Sequence, residues 1–233
     1  MDIILVPGMW LDGSSWDKVV PGLERAGHRP HPLTLPGLES KSADRSGVTL
    51  SDHIAAVVAA IDSCPGTEKV AVVGHSAAAG LAYAAVDART DRIARAFFVG
   101  GFPAEDGTSL GAGFPAENRE VALPDFAEFD DADVKDLTET QLEAFRQKAI
   151  PFPEMVLTEP LKLSDERRYD VPVTMICPEF SSETLKGWID EDMEPVREIP
   201  RLHDVEYVDL PTGHWPQFTK PDELAVVIAE RCN

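Results

Sequence analysis

One serine, one histidine and one glycine-bearing turn lie far apart in the chain, and each sits at a junction where it could take part in acyl transfer. Ser76 lies in VVGHSAAAG, between the apolar run KVAVV and an alanine-rich segment, with Gly74 two residues before it and Ala78 two after. This is the G-x-S-x-G spacing of a serine held on a sharp strand-to-helix turn, with alanine at the last glycine position. Such a turn strains the serine backbone and brings helix and strand close together, so it needs small neighbours. Ala78 and Gly80 are small enough, although Ala78 leaves less room than glycine. A plain helix-capping serine would account for Ser76 but not for the alanines that follow it.

His214 lies in DLPTGHWPQFTKPDELA, between the last apolar run and the last helix-like segment. A histidine there falls on a loop at the carboxyl edge of an open α/β sheet, where ligands bind. Because imidazole titrates near neutrality, it can take a proton from Ser76 and return it to a leaving group. The third element is ILVPGMW, where Pro7-Gly8 lets the chain turn sharply at a strand end. That turn can aim the amide of Met9 beside the amide of Ala77, giving two donors for a developing oxyanion at a few kcal/mol each. A tight turn without catalytic duty is the alternative.

These residues must be positioned by a framework, and the chain supplies one. Six short apolar runs read as strands: Ile3 to Val6, Pro32 to Leu35, Lys69 to Val73, Ala94 to Val99, Val171 to Cys177 and Val205 to Leu210. Near-continuous apolarity suits strands covered on both faces, and alternation with helix-like segments predicts a mostly parallel sheet with helices on both sides. Ser51 is placed to cap the helix HIAAVVAAI, which Pro65 and Gly66 end; Pro221 opens the last helix. The alternation breaks between Phe102 and Asp170, a proline-rich stretch with no convincing strand, in which Thr138 and Gln141 form a capping-box signature. The expected organisation is therefore a core of residues 1–102 and 171–233, with residues 103–170 inserted as a small helical lid. Its apolar residues Phe145 and Met155 are expected to bear on substrate preference.

Composition narrows the class of function. A length of 233 residues suits one large core, and the formal charge of -20 repels nucleic acid and anionic membranes. Much of the acid, including Asp125, Glu128, Asp130, Asp131, Asp133, Asp136 and Glu139, is concentrated in the insertion; a solvated face is preferred there over attraction of a cationic ligand. Cys64, Cys177 and Cys232 are odd in number and widely spaced, which points to free thiols. The six histidines lack metal-like pairing, so neither a metal nor another cofactor is expected. With no leader-like start and no apolar run of membrane-spanning length, a cytoplasmic monomer or homodimer is expected.

The motifs VPGMWLDGSSWDKVVPGLERAGH, VVGHSAAAG, FVGGFPAEDG and GHWPQFTKPDELA are spread from Val6 to Ala225, over nearly the whole chain. In these the sequence resembles the α/β-hydrolase superfamily, in particular its compact branch of plant hydroxynitrile lyases and methyl esterases. The resemblance implies the Ser76/His214 pair and an α/β-hydrolase fold. Two departures stand out. Pro7 replaces the histidine usual before the oxyanion-loop glycine, and aligning VPVTMICPEFSS puts Ser181 where the family carries its aspartate. A serine cannot stabilise an imidazolium as a carboxylate does. Glu179 is the nearest replacement, two residues earlier and so on the same side of an extended segment. Glu183 or a carboxylate from elsewhere in the chain is a second candidate, and absence of any acid is a third. The expected activity is cofactor-free hydrolysis of a small or medium carboxylic ester through an acyl-enzyme on Ser76, with Trp10 and Trp188 as candidate pocket walls, ordinary packing being the preferred role for Trp188. A non-catalytic ligand-binding protein on this scaffold is one alternative. A lyase of the hydroxynitrile type is another, although Trp215 stands where those lyases carry a lysine.

Overall fold

The computed structural model describes residues 1–66, 68–111 and 113–232. Its strands, in chain order, are β1 (Asp2–Val6), β2 (Arg29–Pro32), β3 (Val70–His75), β4 (Ile93–Val99), β5 (Glu120–Val121), β6 (Phe152–Pro153), β7 (Val173–Cys177) and β8 (Val205–Asp209). The helices are α1 (Val20–Arg25), α2 (Leu50–Ser63), α3 (Ala78–Ala88), α4 (Asp131–Val134), α5 (Glu139–Lys148), α6 (Glu154–Thr158), α7 (Ser182–Asp190), α8 (Pro216–Thr219) and α9 (Pro221–Glu230). Six strands form one sheet in the order β2-β1-β3-β4-β7-β8, and every pairing within it is parallel.

Alternate residues of β1, β3, β4 and β7 enter two separate cores, which is why these strands read as unbroken apolar runs. Ile3, Leu5, Ala71, Val73, Phe97 and Val99 face Trp16, Leu23, Leu224 and Ile228, so α1 and α9 cover that side. Ile4, Val6, Val72, Ala96 and Phe98 face Val57, Ile61, the alanines of α3 and Leu185, so α2, α3 and α7 cover the other. Among the described residues no helix is long and apolar enough to cross a membrane, and all three cysteines are free and buried.

Three local expectations change. The second strand covers Arg29–Pro32 and not Pro32 to Leu35, because pairing to β1 is fixed at the sheet edge: Asp2 accepts hydrogen bonds from Arg29 (2.9 and 2.5 Å) and lies 2.7 Å from His31 Nε2. An edge strand tolerates Pro30 and Pro32, whereas the more apolar Leu33 and Leu35 belong to the turn beyond it. Thr49, not Ser51, caps α2, since its hydroxyl and the Asp52 carboxylate satisfy each other's backbone amides. The insertion holds a short antiparallel pair, β5 with β6, whose two-residue strands are too brief to show a period. The Thr138/Gln141 capping box opens α5 as expected.

The chain runs from β1 outward to β2 and then returns to β3 on the other side of β1. The sheet thus has a topological switch point between β1 and β3, and the loops leaving their carboxyl ends hold Met9 and Ser76. Loops after β4, β7 and β8 open on the same edge and carry Gly100, Glu179 and His214.

Candidate active site

Ser76 follows β3 directly with φ 56°, a left-handed conformation that a serine adopts only when its surroundings enforce it. The enforcement is visible on both sides. Its amide donates to Val99 O of β4 (2.9 Å), and its carbonyl accepts from Ala79 of α3 (2.9 Å). A Cβ on Gly74 would lie 2.5 Å from Ala78 O, and one on Gly101 would collide with Ser76 O. Gly74 therefore makes the close strand-to-helix approach, and Ala78 at the last motif position is accommodated and buried.

Ser76 Oγ lies 2.8 Å from His214 Nε2, and His214 Nδ1 lies 2.7 Å from Glu179 Oε1. An ionised carboxylate only accepts hydrogen bonds, so Nδ1 carries the proton and Nε2 faces the serine as acceptor. Of the two local carboxylates named from the sequence, Glu179 is the one whose side chain reaches His214. Ser181 instead caps α7, its Oγ accepting from Thr184 N (3.0 Å), and Glu183 is exposed in the first turn of that helix. Gly100, at φ 55°, makes room for the carboxylate: a Cβ there would lie 3.2 Å from Glu179 Oε2 and 3.3 Å from His214 Nδ1.

The histidine loop is held from two directions. His214 N donates to Asp133 O of α4 (2.7 Å), and His214 O accepts from His75 Nε2 (2.7 Å). Gln217 Nε2 in turn donates to His75 Nδ1 (3.3 Å), which fixes the His75 tautomer. Burial, reinforced by the neighbouring His214 charge, pushes the His75 pKa down to about 3, so this ring is a neutral brace. Gly8, whose Cβ would sit 2.6 Å from His75 Nδ1, brings the turn after β1 against the same ring.

Sequence reasoning missed Asp133 as part of the centre. Its carboxylate, a Glu179 oxygen and a His214 ring nitrogen all lie within 4.8 Å of one another. Burial raises the Asp133 pKa, the His214 charge lowers it and the Glu179 charge raises it again, with a net upward shift. Glu179 Oε2 is buried and has no hydrogen-bond partner among the described residues. The only sequence signal at Asp133 was the acidic run that read as a solvated face.

A cavity of about 800 Å³ opens above the serine. Met9, Trp10 and Ala77 line it, and neither the Met9 nor the Ala77 amide donates to a backbone carbonyl among the described residues. Trp188 does not line it: its ring packs on Phe180 and, edge-on, on Phe102, and Phe102 is the one of these that lines the space. From the insertion, Leu110, Phe114 and Phe129 reach the cavity, whereas Met155 does not and Phe145 is buried against Phe126, Trp215 and Phe218.

The chain is 22% identical to an extracellular α/β-hydrolase from a Paenibacillus species, described as sharing structural and functional homology with tobacco salicylic acid binding protein 2. That likeness covers 100% of this chain and 99% of the other, with a TM-score of 0.81. A methylesterase from Arabidopsis is 17% identical over 99% of this chain and 98% of its own, with a TM-score of 0.72. At these identities the likeness establishes the fold. A chloroplastic protein of Arabidopsis thaliana that carries the name methylesterase 12 is 29% identical over 97 residues, 41% of this chain; the matched stretch spans only 28% of that relative's length. Residues 3–227 match the model of the alpha/beta hydrolase family, and this chain belongs to that family.

Proposed function

We propose that the protein is a cofactor-free serine hydrolase that cleaves a carboxylic ester through an acyl-enzyme on Ser76. The observation that carries this reading is the unbroken hydrogen-bonded line from Ser76 through His214 to Glu179 at the edge of the cavity. His214 Nε2 takes the Oγ proton as Oγ bonds to the ester carbon, and the carbonyl electron pair moves onto oxygen. The amides of Met9 and Ala77 donate to that oxyanion. Collapse breaks the bond to the alcohol oxygen, which leaves with the proton from His214, and water repeats the sequence to release the acid. Glu179 keeps the imidazole in the productive tautomer and offsets its transient charge.

The esterase names of the relatives support an ester over an amide as substrate. A non-catalytic receptor is the weaker reading, because the absent aspartate that favoured it is matched by a glutamate in contact with the histidine. Treatment with a fluorophosphonate followed by peptide mapping tests the proposal. Modification is expected at Ser76, together with turnover of a p-nitrophenyl ester that falls by several orders of magnitude in Ser76→Ala or His214→Ala and little further in the double variant. Labelling at another residue, or additive losses, would overturn it.

A further inference from the structure

Resting on that reading, we infer that the cavity selects esters by charge: it takes neutral and above all cationic substrates, with a substituted ammonium group as the best fit, and rejects esters bearing a second ionised acid. Five acidic residues besides Glu179 line the space: Glu105, Glu128, Asp130, Asp133 and Glu194. They come from three separate parts of the chain, the loop after β4, the insertion around α4 and the turn after α7, so the sign is not an accident of one acidic run. No lysine or arginine lines the cavity, and none of the five forms an ion pair among the described residues.

The cavity also offers what a cation uses besides opposite charge. Trp10, Phe114 and Phe129 line it together, with Trp10 centroids 5.8 Å from Phe114 and 6.0 Å from Phe129, both edge-on. Phe114 remains 41% exposed. Aromatic faces beside carboxylates attract alkylammonium groups, which keep contact with both and lose little hydration. An anion has no cationic partner there and would enter against the sum of the wall charges, with the whole-chain charge of -20 adding to the repulsion on approach. The same field favours departure of the carboxylate product after each turnover.

The test compares three p-nitrophenyl esters of equal acyl length ending in a methyl, a trimethylammonium or a carboxylate group. At low salt kcat/KM is expected to favour the cation over the anion by about 30-fold with the neutral ester between, and the ratio should shrink several-fold near 0.5 M salt through screening. In the triple variant Glu105→Gln/Glu128→Gln/Glu194→Gln the cation-to-anion ratio should fall by about fivefold or more. The ratio is read within each enzyme, so a general change in turnover does not enter it. A ratio within about twofold in the unaltered protein, or one that survives the triple substitution, would overturn the inference while leaving ester hydrolysis intact. If no ester is cleaved, the hydrolase reading fails and the charge inference is decided by binding. Calorimetry on the unaltered protein should then show phenyltrimethylammonium bound at least about tenfold more tightly than benzoate. Equal binding, or preference for benzoate, would sink it.

Discussion

Glu179→Gln separates a charge-stabilised histidine from a Ser/His pair acting alone. The carboxylate is 2.7 Å from His214 Nδ1, and the two side chains are only 13% and 18% exposed, so their interaction is partly shielded from water. When His214 accepts the serine proton, unit charges about 4 Å apart at an effective dielectric constant near 20 attract by about 4 kcal/mol. At about 1.4 kcal/mol per factor of ten in rate, complete loss corresponds to nearly a thousandfold. The amide adds a second effect. It can turn its NH₂ toward Nδ1 and so favour the tautomer whose Nε2 proton points at Ser76, where it blocks proton uptake. Against both stands Asp133, whose carboxylate lies within 4.8 Å of the same ring and restores part of the field when ionised. The expected loss in kcat is about 10² to 10⁴, with KM and melting temperature nearly unchanged. The assay is steady-state hydrolysis of p-nitrophenyl acetate from pH 5 to 9, with Ser181→Ala and Glu183→Gln measured alongside. Ser181 is turned to its own helix and Glu183 is exposed, so both should stay within about tenfold of the unaltered protein. A Glu179→Gln enzyme within about threefold of the unaltered one, beside an inactive Ser76→Ala, would refute the reasoning and leave a dyad.

Three further outcomes follow from the local packing. Gly213 faces the backbone of Asp133 and Lys135, where a Cβ would collide with both carbonyls; Gly213→Ala should displace α4, break the His214 N to Asp133 O bond and lower kcat by about tenfold or more. Gly187→Ala in α7, where a Cβ meets nothing within 4 Å, should instead raise stability by about 0.5–1 kcal/mol with kcat unchanged, and denaturant melts with kinetics on both variants decide the pair. His75 ties part of the stability to pH. Its folded pKa is pushed down to about 3 by burial while the unfolded ring titrates near 6.5, so between those values the unfolded chain binds the extra proton and stability falls as pH falls. At pH 4.5 this amounts to about 2–3 kcal/mol, so His75→Gln, which keeps a donor for His214 O, should flatten the slope of stability between pH 7 and 4.5; parallel slopes would exclude the assignment.

What was legible in the sequence, and what was not, divides along physical lines. Buried parallel strands leave unbroken apolar runs, and an elbow must have small residues next to its serine; both signals are local, so the sheet and Ser76 could be read directly. His214 needed only its place after the last strand. The edge strand was displaced toward Leu33 and Leu35 because apolarity measures burial, whereas its actual register is held by the polar residues Asp2, Arg29 and His31. Trp188 offered a large ring near the strand ends but no sign that it would pack on Phe180 and Phe102 and stay out of the cavity lining. Asp133 was hidden most completely. One acidic residue in an acidic run looks like its neighbours, and only the docking of α4 on the loop of Gly213 and His214 distinguishes it.

In the proposed triad the position of the acid is a question of reach. A triad acid has to place one oxygen at hydrogen-bond distance from Nδ1, and the sheet edge fixes that point in space, not in sequence. Residues two apart in an extended segment lie on the same side and about 6 to 7 Å apart, so an acid nearer the strand end needs both a longer side chain and room alongside it. Glu179 supplies the methylene. Gly100, the first residue after β4, supplies the room, since any Cβ there would press on the carboxylate and the imidazole together. Ser181, where the resemblance puts an aspartate, serves as the cap that starts α7, a task suited to a short hydroxyl side chain. On the proposed function the three residues therefore form one coupled solution: glutamate reaching from the strand end, glycine opposite it, and serine capping the helix where the resemblance puts an aspartate.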